Sequence, residues 1–401
     1  MSSEFKSIAS GTVTTPKGFL SGAVQSGIKN QGELDLGILY SEAPCAAAGV
    51  FTTNAIKSAP VILSQGHLQN GRARAIVVNS GCANACTGDL GMANAEEMAK
   101  QVADKQGLSL EDVLVASTGV IGVPLPMEQV RAGIRKIVPT RDGGHELARA
   151  MITTDTFDKE IAVSVETGAG GFTIGGVAKG SGMIHPNMAT MLCFLATDAA
   201  VDADFMQFAL QEAVNASFNM ITVDGDTSPS DTVVLLANGL AGNEVINSNN
   251  GEVFQRALDE VCLYLAKCIA RDGEGATKLV EVAIESAVSR AEACLAARTI
   301  AGSPLVKTAM YGNDPNWGRI VAALGRSGAQ VAETKLDLYL NDVCVLRQGC
   351  SISFDEEKMR TSLDSKEVFL RLSLNLGEGS ATAWGCDLSE EYVTINSAYT
   401  T

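Results

Sequence analysis

The apolar residues of this chain switch spacing repeatedly, between the 3.6-residue period of a helix and the two-residue alternation of a strand, from one end to the other. Ala95, Ala99 and Ala103 recur with Met98 and Val102 at helical spacing, and Gly107 supplies a C-terminal stop. Val130, Ile134 and Ile137 line one face of a helix opened by Pro126, and Phe254, Leu258, Val261, Leu265 and Cys268 do so on a longer helix ending near Gly273. Ile161, Val163 and Val165 alternate as a strand does, as do Leu336, Leu338 and Leu340, and most regularly the series Val368, Leu370, Leu372, Leu374, Leu376. The interleaving predicts a mixed α/β fold with substantial antiparallel pairing, Asn341-Asp342 reading as a hairpin turn. Glycine clusters at Gly168 to Gly171, at Gly175-Gly176 and at Gly180 to Gly182, where strands are expected to end in tight turns or where backbones approach closely.

At 401 residues the chain exceeds one ordinary core, so two or three subdomains or one large α/β unit are expected. Its 46% hydrophobic and 19% charged residues fit a well-buried protein and exclude disorder. A formal net charge of −16 argues against a nucleic-acid partner, although a local pocket can still be basic enough for an anionic metabolite. The start Met1-Ser2-Ser3-Glu4-Phe5-Lys6 lacks the order of a signal peptide. The apolar run from Met191 to Ala196 meets Asp198 well short of the roughly 20 residues a membrane helix needs. The expectation is a cytoplasmic protein without a membrane partner. Ten scattered cysteines read as reduced core residues; Cys82 and Cys86 lack a second ligand pair for zinc, and three dispersed histidines make no metal site. No metal and no cofactor are expected.

The segment from Lys179 to Asp198 carries the chemistry. A glycine-containing lead-in runs into Pro186, and small Ala189 then precedes Thr190 at the head of an apolar strand. A self-cleaving nucleophile needs that order, because its hydroxyl must reach back to the carbonyl of residue 189. After an N-to-O acyl shift and hydrolysis, the new amine would lie beside its own hydroxyl and serve as its base. Threonine also opens strands simply because it is β-branched, and the local pattern admits both readings. Earlier in the chain, the buried-strand pattern Val113 to Ala116 leads into Ser117-Thr118-Gly119. Such an end can present donors to a developing oxyanion, worth ~3 kcal/mol of barrier. It can equally be an ordinary strand-to-loop turn.

Taken together these segments resemble the glutamate N-acetyltransferase (ornithine acetyltransferase) family of arginine biosynthesis. The likeness spans essentially the whole chain, through Asn79 to Asn84, Ser117 to Gly122, Thr153 to Thr156, Lys179 to Leu192, Asp272 to Thr277, Asn313 to Arg319 and Tyr392 to Thr401. It implies layered sheets and helices of the self-cleaving aminopeptidase type, similar to N-terminal nucleophile hydrolases. It implies cleavage between Ala189 and Thr190 into an alpha chain, 1–189, and a beta chain, 190–401, which interweave in one catalytic unit and assemble as a heterotetramer of two alpha and two beta chains. Thr190 is then the nucleophile, Thr118 and Gly119 form the oxyanion hole, and Thr153, Lys179, Thr190, Glu274, Asn396 and Thr401 bind substrate.

Lys179 would supply the compact positive charge that a substrate carboxylate needs, Glu274 would hold an ammonium, and Thr153 and Asn396 would offer neutral hydrogen bonds. The implied reaction moves acetyl from N2-acetyl-L-ornithine to L-glutamate by double displacement. Some relatives also accept acetyl-coenzyme A as donor, and no residue here decides that point. Two other readings stand beside it: an aminopeptidase or amidohydrolase on the same fold with water as acceptor, and a non-catalytic metabolite-binding scaffold.

Overall fold

In the computed structural model, the structure describes residues 5–29, 32–167, 170–185 and 191–398. The fold is mixed α/β with two layered sheets, one of nine strands and one of seven among the described residues. The larger sheet draws on both sides of the stretch 186–190. Strand Gly170–Lys179 pairs antiparallel with Leu192–Thr197, which runs parallel to Thr232–Ala237. The last of these pairs antiparallel with the long strand Leu36–Phe51, and Arg72–Cys82 and Val113–Val120 complete that side.

The apolar run seen in the sequence becomes a central strand buried on both faces. Cys193 and Leu195 enter one core, while Leu192, Phe194 and Ala196 enter the other. The first core continues through helices Ala203–Ala216 and Glu252–Arg271 to the second sheet, where Leu279–Ala287 lies between Glu367–Ser373 and Gly379–Cys386. On the opposite face helix Gly144–Met151 contributes Leu147, Ala148 and Met151 to the second core. Among the described residues no helix is long and apolar enough to cross a membrane.

Periodicity located several elements. The alanine-rich helix is Gly88–Gln106, ended by Gly107 at φ +65°. Pro126 caps Met127–Lys136, and Asn341 turns the hairpin between Asp337–Leu340 and Val343–Arg347 at φ +48°. Two expectations need correction. Gly175 and Gly176 do not end a strand; they lie inside Gly170–Lys179, because a Cβ on Gly175 would meet the Thr12 carbonyl oxygen at 2.3 Å and one on Gly176 the Leu195 side chain at 2.7 Å. The alternation from Val368 also stops being strand at Ser373. Its parallel partner Leu279–Ala287 stays in register with it as far as Glu285 opposite Ser373 but is irregular against Gly379–Cys386 between Ile284 and Ala287, and the N–H groups of Leu374 and Leu376 go to the carbonyls of Glu285 and Ser286.

Candidate active site

Strands Arg72–Cys82 and Val113–Val120 run in parallel, with Ser80 opposite Thr118 and Gly81 opposite Gly119. Gly119 sits at φ +126°, and a Cβ there would lie 2.4 Å from the backbone carbon of Gly81, so both conformation and space demand glycine. The neighbouring polar groups are satisfied: Ser117 Oγ donates to Asn79 Oδ1 at 2.6 Å, and Asn79 Nδ2 donates to the Cys82 carbonyl at 2.8 Å. Strand Val113–Val120 thus extends past the predicted apolar core of Val113 to Ala116, carrying Thr118 and Gly119 to the edge of a cleft.

That cleft is lined by Thr118, Gly119, Thr153, Lys179, Glu274 and Asn396 among others. Six of the residues implied by sequence therefore converge from five separate segments. Ala189, Thr190 and Thr401 lie outside the described residues. Met191, the next residue along, is buried at the entrance to strand Leu192–Thr197.

Lys179 is buried, and its ammonium donates to Thr153 Oγ1 at 2.8 Å. Burial lowers its proton affinity and the Lys159 charge adds to that, while the carboxylates of Asp155, Glu274 and Asp231 act the other way. Behind it stands an ion network that the sequence reading missed. Asp155 lies 3.8 Å from Lys179 Nζ and 2.7 Å from Lys159 Nζ, and its carboxylate also accepts the N–H groups of Thr153 and Gly180 at 3.1 and 2.6 Å. Lys159 reaches on to Asp272 at 2.5 Å. Burial alone would raise Asp155, but the two lysines and the Gly180 N–H more than offset it and hold its carboxyl well below the usual carboxylate range. The signal available in the sequence was the i,i+4 pair Asp155 and Lys159 ahead of an apolar strand.

Glu274 also lines the cleft. Its N–H donates to the Ser181 carbonyl at 2.9 Å, and Oε2 accepts Asn396 Nδ2 at 2.8 Å from the C-terminal helix Glu390–Ala398. Gly182 makes room for it, since a Cβ there would lie 2.5 Å from the carboxylate. Asp224 accepts the N–H groups of Met183 and Ile184 at 2.6 and 2.9 Å and also faces the cleft. Burial raises its proton affinity. Among the described residues the cleft thus offers one cation flanked by carboxylates, suited to a substrate carrying both an amino group and a carboxylate. Among the described residues no group of three His, Cys, Asp or Glu is arranged to hold a metal ion.

Known proteins resemble this chain along nearly its whole length. The profile of the ArgJ family matches residues 20–401. The arginine biosynthesis bifunctional protein ArgJ of Dehalococcoides mccartyi is 54% identical over 405 residues, covering 100% of both chains. Its counterpart in Symbiobacterium thermophilum is 53% identical over 397 residues, covering 98% of this chain and 99% of the relative. The crystal structure of the arginine biosynthesis bifunctional protein from Bacillus halodurans is 45% identical with a TM-score of 0.50, and the match covers 50% of this chain and 96% of the crystallised one.

Proposed function

The chain belongs to the ArgJ family, and on that premise we propose that it transfers acetyl from N2-acetyl-L-ornithine to L-glutamate through an acetyl-Thr190 intermediate. The observation that carries the reading is the convergence of Thr118, Gly119, Thr153, Lys179, Glu274 and Asn396 on one cleft. Lys179 and Lys159 alternate with Asp155 and Asp272, so the cation facing the cleft is held rigid for a carboxylate, and Glu274 with Asn396 suits an amino group.

The chain first cuts itself: Thr190 Oγ attacks the Ala189 carbonyl, the peptide nitrogen takes the proton as its bond breaks, and water hydrolyses the ester. The freed amine then accepts the hydroxyl proton while Thr190 attacks the acetyl group. Thr118 and Gly119 stabilise the oxyanion, ornithine departs, and glutamate takes the acetyl group in the second half-reaction. Cleavage has independent support in length, because the crystallised Bacillus halodurans chain is almost wholly covered by half of this one. Interleaved strands from either side of 186–190 would keep the products 1–189 and 190–401 together. Assembly as a heterotetramer of two alpha and two beta chains and a cytoplasmic location belong to the same proposal.

The test is direct. Purified protein should run as two bands with a new N-terminus at Thr190, whereas Thr190→Ala should run as one 41.8 kDa band without activity. Ornithine release should depend on glutamate; release at full rate into water alone would instead mean a hydrolase. Acetyl uptake from acetyl-coenzyme A decides whether that donor serves as well.

A further inference from the structure

A carboxyl that the reaction above leaves unused stands beside the first described residue of the C-terminal half. Asp231 is completely buried. Its Oδ1 accepts the Met191 N–H at 3.0 Å, while Oδ2 is buried with no hydrogen-bond partner among the described residues. Sheet register accounts for the placement. Thr232 pairs with Leu192 in parallel, which sets residue 231 alongside residue 191, and Lys179 pairs with Leu192 from the other side. Asp231 and Lys179 therefore flank the point where the chain leaves the sheet toward position 190. Lys179 is the charge that faces Asp231, and its ammonium is engaged by Thr153 and Asp155. Burial raises the proton affinity of Asp231 well above the ordinary value, while the Met191 N–H, the Lys179 charge and the nearby Thr52 hydroxyl act the other way.

Resting on the reading that the chain is cut before Thr190, we infer that Asp231 is a positioning residue for the amine that cleavage creates. Its Oδ1 anchors the Met191 N–H, and its Oδ2 accepts a hydrogen bond from the amino group of residue 190. Three bonds separate the two nitrogens, which keeps them within about 3.7 Å of each other, so a carboxylate seated on one is in reach of the other. The amine gains a fixed orientation against its own hydroxyl and a negative neighbour. It takes the Oγ proton as the bond from Oγ to the acetyl carbon forms, and gives it to the departing ornithine nitrogen as the carbon–nitrogen bond breaks. The ammonium formed in this exchange offsets the burial of Asp231 and holds it as the carboxylate.

The experiment compares the mature wild type with Asp231→Asn, which retains an acceptor for Met191 but loses the charge. Expected is a variant that is still cut, with kcat reduced roughly tenfold or more and KM for N-acetylornithine within about twofold. The acid limb of its kcat profile should move to lower pH by roughly half a unit or more, because an amine without a negative neighbour loses its proton more readily. A cut variant whose acid limb stays in place overturns the inference. Should the variant fail to fold or be cut, the wild type still decides. Reductive methylation of its new N-terminus across pH, read by mass spectrometry, should show an amine titrating at or above the free-chain value of about 7.7–8.0. An amine titrating below that range overturns the inference, while a wild-type chain with no new terminus sinks the cleavage reading itself.

Discussion

Lys159 donates to Asp155 at 2.7 Å with neither side chain reaching solvent. Desolvating two such groups is costly, and only mutual attraction with further hydrogen bonds offsets it; here Asp272 and the Gly180 N–H provide them. The pair also backs the cleft-lining Lys179, since the same Asp155 faces its ammonium. Lys159→Met should strand two buried carboxylates and destabilise the protein by about 3–5 kcal/mol. Denaturant unfolding at neutral pH measures this, and a loss below 1 kcal/mol would mean that water or rearrangement compensates.

The same carboxyl gives stability a pH dependence of known sign. Asp155 is held below its ordinary value of 3.8, burial acting against the shift and the two lysines for it. A depressed acid contributes stability in full above its unfolded value and loses it as pH falls through the folded one. Unfolding free energy should therefore fall steeply below pH 3.8. In Asp155→Asn the protein should be less stable at neutral pH, and the fall over that acid window shallower. Parallel acid limbs for the two proteins would show that other carboxylates govern acid unfolding.

Gly119 and Gly325 offer a contrast at one residue type. A methyl group on Gly119 would meet backbone at a φ of +126°, whereas one on Gly325, at the end of helix Trp317–Gly325, meets nothing within 4 Å. Gly119→Ala should lower kcat by about 10²-fold or more, as loss of an oxyanion donor does, and reduce stability too. Gly325→Ala should leave activity unchanged and stability equal or up to about 1 kcal/mol higher. Equal kcat values for the two variants would remove Gly119 from the reaction.

What the sequence disclosed follows the range of the forces involved. Gly107, Pro126 and Asn341 act on their own turn of chain, and the alternation of Ile161, Val163 and Val165 reflects one sheet face, so local pattern finds them. Pairing of Lys159 with Asp272, 113 residues away, depends on how sheet and helix stack, and no local pattern encodes it. Leu374 and Leu376 misled for the same reason, since their N–H groups go to carbonyls of a neighbouring strand at its irregular stretch. The cleft residues came through resemblance, because threonine, glycine and asparagine carry no periodic signal. Asp231 was invisible beside them: in sequence it merely follows a serine-rich turn.

The C-terminal helix separates function from stability. Glu390–Ala398 has no buried residue, yet Asn396 reaches Glu274 at 2.8 Å and Tyr392 also lines the cleft. An element that buries so little contributes little to folding, because stability scales with apolar area removed from water. Deleting 390–401 should therefore change unfolding free energy by no more than about 1 kcal/mol. The cost should fall on binding: Glu274 loses its side-chain donor and the cleft one wall, so KM for N-acetylornithine should rise roughly tenfold or more, the scale expected when a buried group is left unpaired. Self-cleavage should persist, because Met191, beside the cut, is anchored by Asp231 and not by the deleted segment. Steady-state kinetics beside thermal unfolding of the truncated protein tests both halves. A truncation that unfolds would make the helix structural, and one that keeps its KM would take Asn396 out of the substrate site.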